Sequence, residues 1–378
     1  MPSRAPASAT ATDRIDAVDA VDAVDAVDPD TPIDVRFLGR DEGAALTACI
    51  ERCYGDTYDA RWVYDPDEIG RRIEAATLRS VVGVAGADRG DGGEIVGHLA
   101  LGRHEATAPV GEAGQAVVDP RFRSHHLFTT LKRHLAEWAS ASGLLGMYSE
   151  ATAAHPYSQK ANLALGAHET GFLLGYIPAS VDYIGIDPIA AAGRRQSAAL
   201  FYLLTNEPRR EPVHVPGFHR EALAELYAHV GLPREIVHAD ADFTVATRSD
   251  LVVGVDTEHN DATITVSTMG HDLVEVLDAT VGGLAAAGVD CVYLDLPLCD
   301  PATAHLPRAV HDDLGFFFGG VIPELRRGDV LRLQLLNGVE ADPSDVVVAS
   351  DFGRRLLDYV FERKAGAGVG APPCSTGA

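Results

Sequence analysis

The sequence is poor in the features that mark several protein classes. It has 31 lysine and arginine residues against 55 aspartate and glutamate residues, a net charge of −24, and no basic cluster to meet a phosphate backbone. Its five cysteines lack CxxC spacing, which argues against a thiolate zinc site and a disulfide framework. It has no run of 18 apolar residues and no basic flank followed by an apolar stretch at the N-terminus. We therefore expect no nucleic-acid partner, no membrane partner and a cytoplasmic location.

Motifs for covalent or metal chemistry are also missing. The sequence contains no GxSxG elbow, no Cys-His pair and no zinc-ligand pattern. His125 and His126 are adjacent, so on a helix they would project about 100° apart and could not clamp one metal as an i, i+4 pair does. We predict neither a metal site nor a covalent enzyme intermediate.

The length and composition predict two domains. The 378 residues are 46% hydrophobic and 23% charged, which is enough to bury two cores. An Asp-Ala-Val triplet repeats from Asp16 to Val27, and a period of three matches neither a strand nor a helix. We predict a disordered acidic leader at 1–32, domains at 33–185 and 190–364, and a disordered tail at 365–378.

The first predicted domain alternates strands and helices in the order βααβββαβ, followed by a short helix and a further strand. Asp65 before Pro66 marks a helix start, and Leu127, Leu131 and Leu135 form one helix face. This order predicts a mixed α/β (α+β) sheet whose helix at 124–142 crosses between its flanking strands. The predicted strands are 33–38, 80–87, 95–101, 114–118, 144–151 and 172–177, with helices from residue 41, from residue 66, at 124–142 and at 156–165.

The second half repeats the pattern of the first. Predicted strands at 243–255, 262–269, 289–296 and 330–336 accompany helices at 219–230, 273–287 and 302–313. Tyr148 to Pro178 and Tyr293 to Pro323 both run strand, proline-containing turn, short helix, glycine and apolar strand, at an offset of 145 residues. The offset indicates an internal duplication.

The stretch from Val117 to Phe128 carries the clearest chemical signal. It ends a strand, turns at Pro120 and opens a helix, so it presents unpaired backbone N–H groups and the positive end of the helix dipole. A diphosphate fits such a site, and Arg123 can add a charge-assisted contact. An ordinary strand-to-helix turn with a solvated arginine is the alternative.

These residues resemble the acetyl-CoA loop of the GNAT (Gcn5-related N-acetyltransferase) superfamily, which reads roughly Val-x-Pro-x-x-Arg-(Gly/Ser)-x-Gly-x-(Gly/Ala). Val118, Pro120, Arg123 and Ser124 stand at the expected places, and the resemblance covers about residues 33–185. It implies acetyl-CoA as cosubstrate, with backbone amides around the diphosphate and an N–H near Val118 polarising the thioester. The implied cofactor-binding residues are Val117, Val118, Arg123, Ser124, His125, His126, Leu127, Phe128, Thr129 and Asn162.

The sequence departs from the family pattern inside this loop and further along the chain. His126 and Phe128 replace two small residues. Asn162 stands where many members carry a tyrosine acid, which leaves Tyr157 and His155 as substitute candidates. The resemblance places the acceptor near the end of strand 144–151, so Glu150 is the first candidate for general base or amine ligand and Glu112 the second. A solvated carboxylate at a strand end is the alternative for both.

The second half lacks the phosphate-binding signature. Its strand 262–269 runs into Gly270, His271 and Asp272, and a carboxylate there would oppose a diphosphate. We predict a degenerate copy that closes the acceptor pocket or keeps a vestigial regulatory site. The resemblance then implies an N-acetyltransferase that moves an acetyl or other acyl group to a primary amine of a small molecule or peptide by direct attack. The alternative is a catalytically silent acyl-CoA sensor or interaction module.

Overall fold

The structure is a computed structural model that describes residues 27–28, 30–58, 60–86, 93–181, 193–240 and 243–368. Most of the predicted leader, the predicted boundary at 185–190 and the tail beyond residue 368 lie outside these residues. The fold is mixed α/β, and the helices and strands follow the order that the sequence predicts as far as residue 177. No described helix is long and apolar enough to cross a bilayer.

The elements are named here in chain order. The strands are β1 (Ile33–Phe37), β2 (Leu78–Ala85), β3 (Glu94–Gly102), β4 (Val110–Val118), β5 (Gly146–Thr152), β6 (His168–Ile177), β7 (Gln196–Leu204), β8 (Glu211–His214), β9 (Arg234–Val237), β10 (Asp250–Asp256), β11 (Asp261–Thr268), β12 (Cys291–Pro297), β13 (Phe317–Ile322) and β14 (Val330–Leu336). The helices are α1 (Gly43–Tyr54), α2 (Pro66–Glu74), α3 (Leu127–Ala141), α4 (Tyr157–Ala164), α5 (Arg220–Val230), α6 (Leu273–Ala286), α7 (Ala309–Asp312) and α8 (Asp351–Gly366).

Twelve strands form one sheet, in the order β1-β2-β3-β4-β5-β7-β6-β13-β14-β12-β11-β10. The pairs from β1 to β4 are antiparallel, whereas β4 and β5 are parallel because α3 crosses between them. Side chains alternate across the strands, so Val81 and Val96 reach the core under α3 while Val82 and Ile95 reach the core under α1. The helices α1 and α3 therefore cover opposite faces.

Strand β7 joins the sheet between two strands of the first half. It begins at Gln196, beyond the predicted boundary, yet it pairs with β5 and β6 on its two sides. The sequence pattern predicts no element in this stretch. The division into domains at 33–185 and 190–364 stays a prediction.

Five strands of the second half follow the same order in the sheet as five strands of the first half. Their order β10-β11-β12-β14-β13 repeats the order β3-β4-β5-β7-β6, and β11 and β12 are parallel around α6 as β4 and β5 are around α3. The two sets meet where β6 pairs with β13 at Gly171 and Gly320. Buried Gln334 bridges this junction, because its amide donates to the carbonyls of Phe172 and Phe318.

Several predicted bounds are wrong for local reasons. Helix α3 begins at Leu127 rather than 124, because Pro120–His125 forms a 3-10 helix and His126 takes a left-handed conformation with φ of 52°. Strand β10 begins at Asp250 rather than 243. The helix expected at 302–313 is a 3-10 turn, Pro301–His305, followed by the four-residue α7. The tail expected from residue 365 begins as the last two residues of α8.

Candidate active site

The site begins where two neighbouring strands separate. Strands β4 and β5 pair only from Val110 with Gly146 to Glu112 with Tyr148, and beyond these residues they diverge. Ser149 and Glu150 follow at once on β5, and consecutive residues of a strand point to opposite faces. The gap therefore offers one side chain of β5 to each face of the sheet.

A cavity of about 780 Å³ occupies this gap. One end, here called the helix-start end, is lined by Val117, Val118, Arg123 and Phe128. The other, the carboxylate end, is lined by Glu112, Glu150, Asp256, Glu258 and Asp261. Because Ser149 and Glu150 both line it, the cavity reaches both faces of the sheet.

The helix-start end is suited to an anion. The first backbone hydrogen bond of α3 runs from the Thr130 N–H to the His126 carbonyl. The N–H groups just before Thr130 therefore have no acceptor within the helix. The helix dipole adds positive potential there, and Arg123 lines the same end. The hydroxyl oxygen of Ser158, from α4, is buried in the wall and has no hydrogen-bond partner among the described residues. A bound polar ligand would satisfy it.

A bulge in β4 shapes the middle of the wall. Residues 98–100 of β3 face residues 114–117 of β4, so β4 carries one extra residue, and Gln115 takes a left-handed φ of 50°. The bulge is braced by fully buried His98, whose Nδ1 lies 2.9 Å from the Gln115 carbonyl and whose Nε2 lies 3.0 Å from Ser80 Oγ. Since a carbonyl only accepts, Nδ1 carries the proton, and burial lowers the pKa of His98 to about 4.

The carboxylate end is organised around Glu150. Its Oε2 accepts a hydrogen bond of 2.7 Å from the Tyr176 hydroxyl, and its Oε1 lies 3.8 Å from Arg332 Nη1. Burial, followed by the charge of Glu150, raises the pKa of Tyr176 well above its ordinary value, so the phenol stays a donor. Arg332 is engaged mainly by Asp295, through bonds of 2.8 and 2.9 Å.

The second half of the chain builds the far wall of this end. Strands β10 and β11 bring Asp256, Glu258 and Asp261 to the cavity, and Tyr293 lines it from β12. The turn between β10 and β11 contacts the first half, because the Arg61 N–H donates to Glu258 Oε2 at 3.1 Å. Burial raises the pKa of Asp261 to about 6. The carboxylate end thus lies between the two halves.

On the opposite face from Glu150, a buried lysine joins the wall. Lys132 of α3 is 2% exposed, and its Nζ donates to Ser149 Oγ at 3.2 Å and to Asn162 Oδ1. Burial lowers the pKa of Lys132 to about 7. Both partners are neutral oxygens.

Eight of the thirteen predicted site residues share this cavity. Leu127 packs its side chain into the core instead, half-buried His125 lies against Phe122, and His126 is exposed before α3. Thr129 is not among the cavity residues, and Ser124's side chain lies outside what the structure describes. The backbone amides predicted for this loop remain a prediction. The eight residues in the wall are Glu112, Val117, Val118, Arg123, Phe128, Glu150, Tyr157 and Asn162.

The sequence predicted neither Lys132 nor the particular residues of the second half that line the cavity, although a second half that closes the acceptor pocket was one of its two predictions. The signal for Lys132 was present, because a lysine interrupts the apolar stripe of α3 between Leu131 and Leu135. The signal for β10 and β11 was not, because the sequence does not state which strands face each other across a cavity. Among the described residues, no cluster of three or more histidine, cysteine, aspartate or glutamate side chains could hold a metal ion.

Comparisons with known proteins find a family match within the first half of the chain. Residues 45–166 match the sequence profile of the Acetyltransferase (GNAT) family. No curated protein matches the chain. Among solved structures, a GNAT superfamily phosphinothricin acetyltransferase from Sinorhizobium meliloti, in complex with acetyl-CoA, is 17% identical, with a TM-score of 0.36 over 47% of this chain and 93% of that one.

Two further solved structures resemble a similar share of the chain. An N-acetyltransferase from Staphylococcus aureus is 15% identical, with a TM-score of 0.36 over 47% of this chain and all of that one. The ribosomal-protein-S18-alanine N-acetyltransferase from Escherichia coli is 13% identical, with a TM-score of 0.35 over 47% of this chain and 97% of that one. The sequence match carries the assignment: this chain contains a domain of the GNAT acetyltransferase family, in a mixed α/β fold.

Proposed function

We propose that the protein is an N-acetyltransferase that moves an acetyl or other acyl group from CoA to a primary amine of a small cationic molecule. The observation that carries the proposal is a cavity through the sheet that joins a helix start suited to an anion with a group of carboxylates. One end suits the diphosphate of CoA, and the other suits a protonated amine. The acyl group would pass between them in the gap between β4 and β5.

The residues present fit CoA. The start of α3 and Arg123 would hold the diphosphate, and the Ser158 hydroxyl would take a polar group of the pantetheine arm. CoA supplies a thioester whose carbonyl an amine can attack. The bulge of β4 at Gln115 interrupts the ladder beside the gap, which supports a role for its backbone next to that carbonyl.

Glu150 is the proposed base. It lies on the strand that borders the gap, and Tyr176 and Arg332 hold its carboxylate in place. The amine nitrogen attacks the thioester carbon, the C–S bond breaks, and Glu150 accepts the proton that the nitrogen loses. Glu112 faces the same end and is the second candidate.

The charge of the carboxylate end supports a cationic acceptor. Five carboxylates line it, and the arginine there, Arg332, is already engaged by Asp295. Tyr148, Tyr176 and Tyr293 also line the cavity, and aromatic rings bind cations as well as apolar groups. An amine that carries a second positive charge would use more of these carboxylates than its reacting end alone.

We also infer that the second half is a degenerate copy of the same fold. The repeated strand order and the parallel pair around α6 support this relation. Its role is to form one wall of the acceptor end. It would not bind a second CoA, because Asp272 lies at the start of α6, where the diphosphate would sit.

The test is thiol release from acetyl-CoA with four classes of amine: a diamine, a neutral-tailed monoamine, a zwitterionic amino acid and an amino dicarboxylate. We expect kcat/KM to be highest for the diamine and lowest for the dicarboxylate. Added salt should reduce the difference, because it screens the attraction. Tight CoA binding with no thiol release from any amine would instead favour the silent acyl-CoA sensor.

A further inference from the structure

The proposed mechanism provides a base for the amine but leaves the departing sulfur without a proton donor. Tyr157 and His155 were the candidates from sequence, and both line the cavity at the start of α4. Asn162 cannot release a proton at neutral pH. Lys132, which hydrogen-bonds to Asn162, is buried in the same wall and has no part in the steps described so far.

The neighbours of Lys132 do not explain why a buried ammonium group would be kept for a structural role alone. A buried lysine is normally paired with a carboxylate, and an unpaired one is costly. Lys132 contacts Ser149 and Asn162, which are neutral and bonded to each other at 3.1 Å. An ammonium has three N–H donors, so two of them are used and one remains for the cavity.

Lys132 and Glu150 lie on opposite faces of β5. Ser149 binds the lysine on one face of β5, and Glu150 points to the other face, toward the second half. Arg123, Ser158 and Phe128 line the Lys132 side of the gap, where the CoA arm would enter. An amine approaching from the Glu150 side and a sulfur leaving on the Lys132 side lie on opposite sides of the reacting carbon.

We propose that Lys132 is the general acid that protonates the sulfur of CoA as the C–S bond breaks; this rests on the proposed function. The electron pair of the C–S bond goes to sulfur, and sulfur takes a proton from the Lys132 ammonium to give the free thiol. Lys132 is left as a neutral amine held by Ser149 and Asn162. Water entering after product release returns its proton, while Glu150 gives up the proton taken from the acceptor.

The electrostatic surroundings suit this role. A lysine with a pKa of about 7 donates readily to a thiolate, whose conjugate thiol has a pKa near 8.5. Burial is the cause of the lowered pKa, and no described carboxylate opposes it. The titratable groups that share the cavity with Lys132 include Arg123, His155 and Tyr157 on its side of the sheet, and Glu112, Tyr148 and Glu150 across it. The others that line the cavity are Cys53, Tyr54, Tyr58, Tyr176, Asp256, Glu258, His259, Asp261, Tyr293 and Arg332.

The first test needs no acceptor. The chain has only three lysines, Lys132, Lys160 and Lys364, so an NMR sample with ¹³C-labelled lysine gives three side-chain signals, and Lys132→Met assigns the one of interest. We expect the Lys132 signal to titrate near pH 7. CoA should move both this signal and its midpoint. Desulfo-CoA, which lacks the sulfur, should bind but move them much less.

The second test is kinetic and uses the best amine of the four classes. Lys132→Met should lower kcat by about 10²- to 10⁴-fold, the usual range for a positioned acid, and leave KM for acetyl-CoA nearly unchanged. Lys132→Arg keeps the charge but cannot release a proton, so it should be equally slow. The wild-type decline of kcat above pH 7 should be lost in Lys132→Met. Lys160→Met, an exposed lysine of α4, is the control with unchanged rate.

The outcomes separate the two proposals. Equal NMR shifts with CoA and desulfo-CoA would overturn the role of Lys132 even if the enzyme acetylates amines. So would a Lys132→Arg variant with near wild-type kcat, which would make the lysine an electrostatic group only. Absence of thiol release with every amine would overturn the proposed function, while the NMR comparison would still decide whether Lys132 meets the sulfur. CoA binding by Lys132→Met would show that the variant is folded.

Discussion

At the scale of single residues, Arg123 and Glu150 mark the two ends of the cavity, and the proposed mechanism gives them different steps. Arg123 lies in the 3-10 helix before α3, where a diphosphate would sit. Glu150 lies beyond the gap, held by Tyr176 and Arg332. Binding of CoA and transfer of the acyl group should therefore respond to different substitutions.

Arg123→Ala should weaken CoA binding by about 1–3 kcal/mol, the range for losing a charge-assisted hydrogen bond. The fold should persist, because the side chain is only half-buried at a helix start. Isothermal titration with CoA measures the change. Arg133→Ala, an exposed arginine further along α3, is the matched control. Equal loss in both variants would mean that only the net charge matters.

Glu150→Gln keeps the shape of the side chain and its bond to Tyr176 but removes the base. We expect CoA affinity to stay the same and acyl transfer to fall by about 10²-fold or more. Glu112→Gln is the comparison, and steady-state rates with the best amine decide between them. If Glu112→Gln is the slow variant, the base is Glu112. If both variants keep full turnover, the amine loses its proton to water.

At the scale of elements, local signals predicted more than non-local pairing did. Helix α2 begins at Pro66 as predicted, and Asp65 caps it, since its carboxylate accepts from the N–H groups of Asp67 and Glu68. The order of elements through β6 was also predicted, because each has its own periodicity. Strand β7 was missed although its sequence is strongly apolar, since its place between β5 and β6 depends on strands far away in the chain.

The same limit applies to the candidate site. Glu112, Glu150 and Arg123 were predicted because they flank a strand end or a helix start. Lys132 was not predicted, because a lysine on a helix usually reaches solvent, whereas this one is buried against Ser149 of β5 and Asn162 of α4. The wall from β10 and β11 depends on how the two halves of the sheet face each other.

His98 links the bulge of β4 to a pH dependence of stability. The folded state keeps His98 neutral down to about pH 4, whereas the unfolded chain protonates it near 6.5, so unfolding takes up a proton between these values. Stability should therefore fall as pH decreases from 6.5 to 4, by up to about 1.4 kcal/mol per pH unit for this one group. Urea unfolding across pH should show a smaller slope in His98→Gln. His104→Gln, half-exposed on a loop, should keep the wild-type slope; equal slopes in all three would contradict a neutral His98.

The junction of β6 and β13 should tolerate no side chain at Gly171. A Cβ there would lie 2.2 Å from the Gly319 carbonyl oxygen and 2.5 Å from the Gly320 Cα, which are backbone atoms. Gly171→Ala should lower the free energy of unfolding by about 1–3 kcal/mol or more, the range for overpacking. Chemical denaturation measures it, with Gly102→Ala as the control, since its Cβ meets nothing within 4 Å. Equal stability of the two variants would mean that the strands at this junction can separate without cost.

At the scale of the whole molecule, the two halves contribute different parts of one site. The first half provides the helix start and the divergent strands, and the second half provides acidic residues that face them. A net charge of −24 adds a long-range attraction for cations. Binding of an acceptor that fits this arrangement should therefore depend on a residue of the second half that would not contact CoA.

Asp261 of β11 provides that test. Burial raises its pKa to about 6, so the folded protein holds a proton there that the unfolded chain releases near pH 3.8, and above pH 6 the charged form costs stability. Asp261→Asn removes this charge without changing the shape, so at pH 7.5 it should leave the melting temperature unchanged or raise it. CoA affinity should not change, whereas KM for a diamine should rise by the equivalent of about 1–3 kcal/mol, the cost of losing a charged partner. Asp250→Asn, exposed on β10 and outside the cavity, should leave KM as it is. An unchanged diamine KM in Asp261→Asn would show that the cationic acceptor is bound without β11, by Glu112 and Glu150 alone.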